Sequence, residues 1–132
     1  MNAPALATWH RLVKAQDAAG LKELIADDAV FHSPVVHTPQ QGKALVIAYL
    51  SAAFHVFFTD NFRYVREVEG PNDAVLEFEL EIDGVRINGV DMIRWNDAGQ
   101  VTDFKVMLRP LKAVNLIHQK MGEMLQRQAA QQ

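Results

Sequence analysis

The sequence predicts one α+β domain over residues 1–132, with N-terminal helices packed on a curved antiparallel sheet that encloses a pocket and a further helix at the C terminus. Three observations carry that prediction. The first half of the chain spaces its apolar residues by three and four, the second half alternates them, and the segment after Pro110 returns to helical spacing. Helices that precede a curved sheet have one economical packing: they close over its apolar face and leave a cone with an open end.

Pro4 suits a first helical turn, and Leu6, Trp9, Leu12, Val13 and Gln16 follow on one face, so the spacing predicts an amphipathic helix that Gly20 breaks. Leu21, Leu24 and Ile25 form the inner stripe of a short second helix ending near Asp27 and Asp28, and AVFH is then a short strand. The run Ser33-Pro34-Val35-Val36-His37-Thr38-Pro39 excludes a helix, because each proline lacks a donor and pushes its predecessor toward extended backbone. It reads as a loop. From about Gly42, the residues Leu45, Ala48, Tyr49, Ala52 and Ala53 predict a third helix that runs to about Val56.

Four alternating segments follow: FRYVREVE, AVLEFELEI, VRINGVDMIRW and VTDFKVMLR. The gaps Gly70-Pro71-Asn72-Asp73, Asp83-Gly84 and Asn96-Asp97-Ala98-Gly99 are rich in turn residues, so the strands should form an antiparallel meander. The acidic stripe Glu77, Glu79, Glu81 reads as a solvated outer face. Pro110 opens a last helix with Leu111, Val114, Ile117, Met121, Met124 and Leu125 on one stripe, and the tail RQAAQQ is expected to fray.

Composition bounds the function. With 49% hydrophobic and 22% charged residues the chain is globular, and a net charge of -3 with scattered Lys and Arg offers no footprint for nucleic acid. No apolar stretch reaches the ~20 residues of a membrane span, and MNAPALATWHR lacks a signal-peptide pattern, so a cytoplasmic location is expected. The absence of cysteine excludes disulfides, thiolate nucleophiles and cysteine-held metal.

Asp91 shares its strand phase with Val85, Ile87, Gly89, Ile93 and Trp95, the apolar surface of that strand. Such a carboxyl faces the interior. Lost hydration raises its pKa, by up to ~3–5 units at full burial, and a carboxyl kept protonated donates a hydrogen bond. A structural role, tied to an arginine or to backbone N–H groups, fits the same pattern. Leu12, Phe78, Leu80, Ile87, Ile93, Trp95, Phe104 and Val106 are the expected ligand-binding walls, and an apolar pocket with one or two polar groups is the usual form of a small-molecule site.

Two segments, ADDAVFHSPVVHTPQQGKALVIAYL and VDMIRWNDAGQVTDFKVML, resemble the nuclear transport factor 2-like (NTF2-like) superfamily, in particular its ketosteroid isomerase and SnoaL-like members. The likeness spans about residues 5–109 and implies an NTF2-like cone. In the steroid isomerases a strand aspartate before a proline abstracts a proton, while a helix tyrosine and a protonated sheet aspartate stabilise the enolate oxygen, a case that also serves as a general illustration of a carboxylic acid kept neutral by an apolar site. The resemblance puts Asp91 at the protonated aspartate, Ser33 at the base and Leu12 at the tyrosine. Serine without an activating partner is a poor base, so the family's steroid isomerisation is not expected. His37 and His55 are candidate replacement bases, since imidazole titrates in the needed range, while strand alternation turns His32 away from the face of Ser33.

No metal or other cofactor is expected, because the histidines lack a compact ligand spacing. The epoxide hydrolases of this fold use an aspartate–arginine–aspartate set. Here Gly89 replaces the arginine, and Asp103 lies on the outward phase. Arg109 is placed to pair with a carboxyl or an anionic ligand at the rim.

Two readings stand. One is an isomerase- or cyclase-like acid–base catalyst acting on a small hydrophobic, carbonyl-bearing or polycyclic molecule, with Asp91 as acid or oxyanion donor and Ser33, His37 or His55 assisting. The other is a non-catalytic ligand-binding or dimerisation domain. The outer phase carries Val65, Val90, Met92, Val101 and Met107, which is too apolar for full exposure, so a homodimer through that face is expected. The C-terminal helix is expected to cap the cone's mouth or to dock on a partner subunit.

Overall fold

The computed structural model describes residues 4–130 as four α-helices over one six-stranded, unclosed sheet. Helix α1, Pro4–Ala15, buries Ala5, Leu6, Trp9 and Leu12, the stripe its spacing predicts, and Lys14 faces the negative end of the helix. It stops well before Gly20. Gln16 takes a left-handed φ of 52°, and Asp17 caps a 3-10 turn over Ala18–Gly20 by accepting the Gly20 N–H. Helix α2 is a single turn, Leu21–Leu24, and Asp27 and Asp28 lie inside strand β1, Ile25–His32, rather than at a helix end. Ile25 already pairs with Val101, so sheet pairing claims the residues that a helix this short cannot hold.

The proline loop is irregular as expected. It ends in an unforeseen two-residue strand, β2, Gln40–Gln41, antiparallel to β1. Helix α3, Lys43–Phe57, then packs on β1 and buries Val46, Leu50, Ala52, Phe54, Val56 and Phe57.

Strands β3 (Arg63–Glu69), β4 (Asp73–Ile82), β5 (Val85–Trp95) and β6 (Val101–Arg109) form the antiparallel meander, and the sheet order is β2-β1-β6-β5-β4-β3. Asp83 and Gly84, at φ of 51° and 78°, close β4 to β5 through a two-residue turn whose positive dihedrals match the strand twist. Strand β1 lies parallel to β6, a neighbour relation that alternation within a strand does not reveal. A register shift between Arg94 and Trp95 sets Val101 opposite Trp95, so Val101 is buried at 1% exposure and is not part of the outer face.

That outer face joins charges and apolar groups in rows. Arg66 meets Glu77 at 3.4 Å, Arg63 meets Glu79 at 3.8 Å and Arg86 meets Glu81 at 4.0 Å, so the acidic stripe is laced by arginines. Exposed pairs of this kind each contribute about 0–1 kcal/mol. Val68, Val75 and Met92 form one cross-strand row, and Val90 and Met107 pair in the next.

Helix α4, Leu111–Ala130, packs on α3 and on β5 and β6, burying Ala113, Ile117 and Met121. Lys120 reaches Asp83 in the β4–β5 turn at 3.2 Å, which ties the helix over that end of the sheet. It stays helical beyond Arg127, where fraying was expected, and Gln131 and Gln132 lie outside the described residues. Among the described residues no helix is long and apolar enough to cross a membrane.

Candidate functional site

Pairing places Asp91 on β5 between Leu76 of β4 and Val106 of β6, two apolar neighbours on the inner face. Asp91 is buried, with 6% of the residue exposed. Over it lie Trp9 from α1, Ala53, Phe54 and Phe57 from α3, Phe58 and Phe62 from the α3–β3 connection, and Phe78, Phe104 and Val106 from the sheet. The rings contact one another closely: Trp9 and Phe104 have centroids 4.8 Å apart, Phe54 and Phe58 4.7 Å, Phe58 and Phe62 4.7 Å, and Phe62 stacks on Phe78 at 5.3 Å. Gly89 makes room for this. A Cβ there would lie 2.6 Å from the Met107 carbonyl oxygen and 2.6 Å from Phe78 Cζ, so a side chain would drive the ring out of its seat.

Two further residues complete the polar set. Tyr64 on β3 donates its hydroxyl proton to Asp91 Oδ2 at 2.7 Å, and Trp9 Nε1 donates to Tyr64 Oη at 3.0 Å. Asp91 Oδ1 has no hydrogen-bond partner among the described residues and is not sealed off, and Asp91 is one of the residues that line the cavity. Burial pushes the Asp91 carboxyl up from 3.8 to about 7, although the Tyr64 hydrogen bond pulls it down. Burial likewise holds Tyr64 well above its ordinary range, helped by the Asp91 charge and hydrogen bond and by the charge of Glu67, while Trp9 opposes. Tyr64 therefore remains a phenol and a donor. Glu67 itself is held by His10 Nε2 at 2.5 Å, and the His10 ring stands edge-on to Tyr64.

Space beside the carboxyl is small. The cavity is about 30 Å³, where a single water needs roughly 10–15 Å³ and drug-sized ligands occupy pockets of about 300–1,000 Å³. Of the expected wall residues, Phe78, Phe104 and Val106 line it; Leu80 and Ile87 border a separate groove of about 520 Å³ beside Arg109, and Leu12, Ile93 and Trp95 are buried away from the cavity.

Ser33, His37 and His55 do not line that cavity. Ser33 and His37 lie with His32 and Lys105 along an outer groove of about 640 Å³, which Val106 shares with the cavity. The Ser33 hydroxyl accepts the Val35 N–H at 3.1 Å, a local turn contact. His55 is exposed on α3. Arg109 donates through Nε to Asn88 Oδ1 at 2.8 Å.

Tyr64 and the indole N–H of Trp9 are the polar groups of the candidate site that sequence reasoning missed. One signal was present: Phe62 and Tyr64 share a strand phase before the bulge, and an inward tyrosine needs a partner for its hydroxyl.

The model of the SnoaL-like domain family matches residues 6–104. A steroid delta-isomerase from Pseudomonas aeruginosa is 37% identical, with a TM-score of 0.83 over 99% of this chain and 95% of its own. A bacterial protein with a cystatin-like fold from Silicibacter pomeroyi DSS-3 is 30% identical, with a TM-score of 0.84 over 92% of this chain and 84% of its own. An NTF2-like protein from Mesorhizobium loti shares the fold at 19% identity, with a TM-score of 0.70 over 82% of this chain and 90% of its own. No curated protein sequence matches.

Proposed function

The chain belongs to the SnoaL-like domain family, and on that premise we propose that it takes a small hydrophobic molecule bearing a carbonyl or enolate oxygen, with Asp91 as the protonated acid that meets this oxygen. The single observation behind the reading is a carboxyl with one oxygen held by Tyr64 and the other without a partner among the described residues, on a residue that lines an aromatic cavity. A donor sited where negative charge develops on oxygen stabilises an enolate, which is the electrostatic part of isomerase and cyclase chemistry. The 37% identity to a steroid delta-isomerase supports this class of ligand.

A polycyclic ligand enters only if rings move. Phe58 and Phe62, both half-buried on the α3–β3 connection, are the rings whose displacement enlarges the cavity with least loss of core. Asp91 is the one carboxyl or imidazole that borders it among the described residues, so it also serves as proton acceptor when deprotonated near neutral pH. The small volume favours a second reading, a non-catalytic domain that binds such a ligand or serves in dimerisation.

A hydrophobic ketone such as a β,γ-unsaturated ketosteroid, followed by quenching of Trp9 fluorescence in a Trp95→Phe background, separates these ideas. Binding is expected, with Asp91→Asn weakening it about 3- to 10-fold and Asp91→Leu more, the range of one hydrogen bond. Equal affinity in wild type and Asp91→Leu contradicts the assigned role.

The same reading includes a homodimer through the sheet's outer face, where Val65, Val68, Met92 and Met107 are 41%, 59%, 36% and 49% exposed. Sedimentation at micromolar concentration is expected to give a dimer that Met107→Glu dissociates. A wild-type monomer under those conditions removes the proposal.

A further inference from the structure

The three polar groups beside the cavity allow one direction of donation. An indole N–H has no acceptor capacity, so Tyr64 Oη must accept from Trp9. The single proton of Tyr64 then has Asp91 Oδ2 as its acceptor, and no other described group offers it one. An acid proton carried on Oδ2 would point at the phenol oxygen and turn the phenol proton out with no partner. An orphaned buried hydroxyl disfavours that arrangement by about tenfold or more.

We propose that Tyr64, held in place by Trp9, is a positioning residue that puts the acid proton of Asp91 on Oδ1, the oxygen without a protein partner on a residue that lines the cavity. This rests on the reading of Asp91 as an acid and deepens it by naming what the site accepts. With its proton fixed outward, the carboxyl offers a donor and no free acceptor. A carbonyl or enolate oxygen satisfies it, whereas an ammonium or any group that must donate finds no partner. Tyr64 acts through Asp91 and does not line the cavity, whereas Trp9 both holds Tyr64 and forms part of the wall.

The charged and titratable groups facing the pair are few. Glu67 on β3 and its partner His10 on α1 lie beside Tyr64, whereas the described residues of α3, β4 and β6 that line the cavity are apolar. A shift seen in a Tyr64 variant therefore has a short list of sources.

Infrared difference spectra of wild type minus Asp91→Asn, with carbon-13-labelled aspartate, test the proposal without any ligand. At about pH 5, below the titration near 7, the wild type should show a protonated carboxyl whose C=O band is lowered by the Tyr64 bond to Oδ2. Tyr64→Phe, which removes one hydroxyl, should move that band to higher wavenumber and raise its titration midpoint. Trp9→Phe should leave a single band, because the Tyr64 proton still has Asp91 Oδ2 as its acceptor. An unmoved band and midpoint in folded Tyr64→Phe overturns the proposal even if Trp9→Phe does not fold. A wild type with no protonated band at that pH instead removes the acid reading itself, so the two failures are distinguishable.

Discussion

Asp91→Asn is expected to remove a loss of stability that the wild type shows as pH rises from about 4 to about 8. Burial raises the folded-state pKa from 3.8 to about 7, so between those values the folded chain holds a proton that the unfolded chain has released. The contribution is fully present below 3.8 and disappears as pH passes through about 7. An interval of about three units corresponds to roughly 4 kcal/mol, a large part of the stability of a small domain. Asparagine keeps an acceptor for Tyr64 and carries no charge at any pH. Urea unfolding at stepped pH, taken as wild type minus variant, cancels the carboxylates common to both. A difference that stays flat from pH 4 to pH 8 contradicts the burial argument.

Phe78→Ala should produce the largest loss of stability from a single core truncation near the site, about 3–5 kcal/mol. The ring is 2% exposed, stacks on Phe62, stands edge-on to Phe57 and Tyr64, and lies against Gly89. Removing it merges the vacated volume with the cavity beside Asp91. An apolar guest such as benzene is then expected to restore part of the loss, as apolar cavities do with guests of matching size, while leaving the wild type unaffected. Denaturant unfolding with and without benzene measures both effects. A loss under about 1 kcal/mol would mean that the surrounding rings close over the gap and that Phe78 does not define the cavity wall.

Much of the fold was legible because period alone separates the halves of the chain. The alternation over Val85–Trp95 and Val101–Arg109 predicts both strands with their ends, and the inward phase of Asp91 follows from the same count. Where the reading failed, the deciding interaction lay elsewhere in the chain. Asp27 and Asp28 look like a helix end until β6 is present to pair with β1, and Val101 looks outward until a bulge shifts it by one residue. The site was read in part for the same reason. The inward positions of Asp91, Phe78, Phe104 and Val106 follow from phase, but Tyr64 reaches the carboxyl from two strands away and Trp9 reaches Tyr64 from a helix 55 residues earlier in sequence. Ser33, His37 and His55 were singled out by residue chemistry and by resemblance, neither of which reports where the proline loop and the outer face of α3 point.

All of this turns on the ionisation of one side chain, and carbon-13 NMR of the labelled Asp91 carboxyl, assigned by its loss in Asp91→Asn, reads it directly. The expected midpoint is near 7, with the carboxyl neutral through the mildly acidic range. A carboxylate that is already fully charged at pH 5 would contradict it.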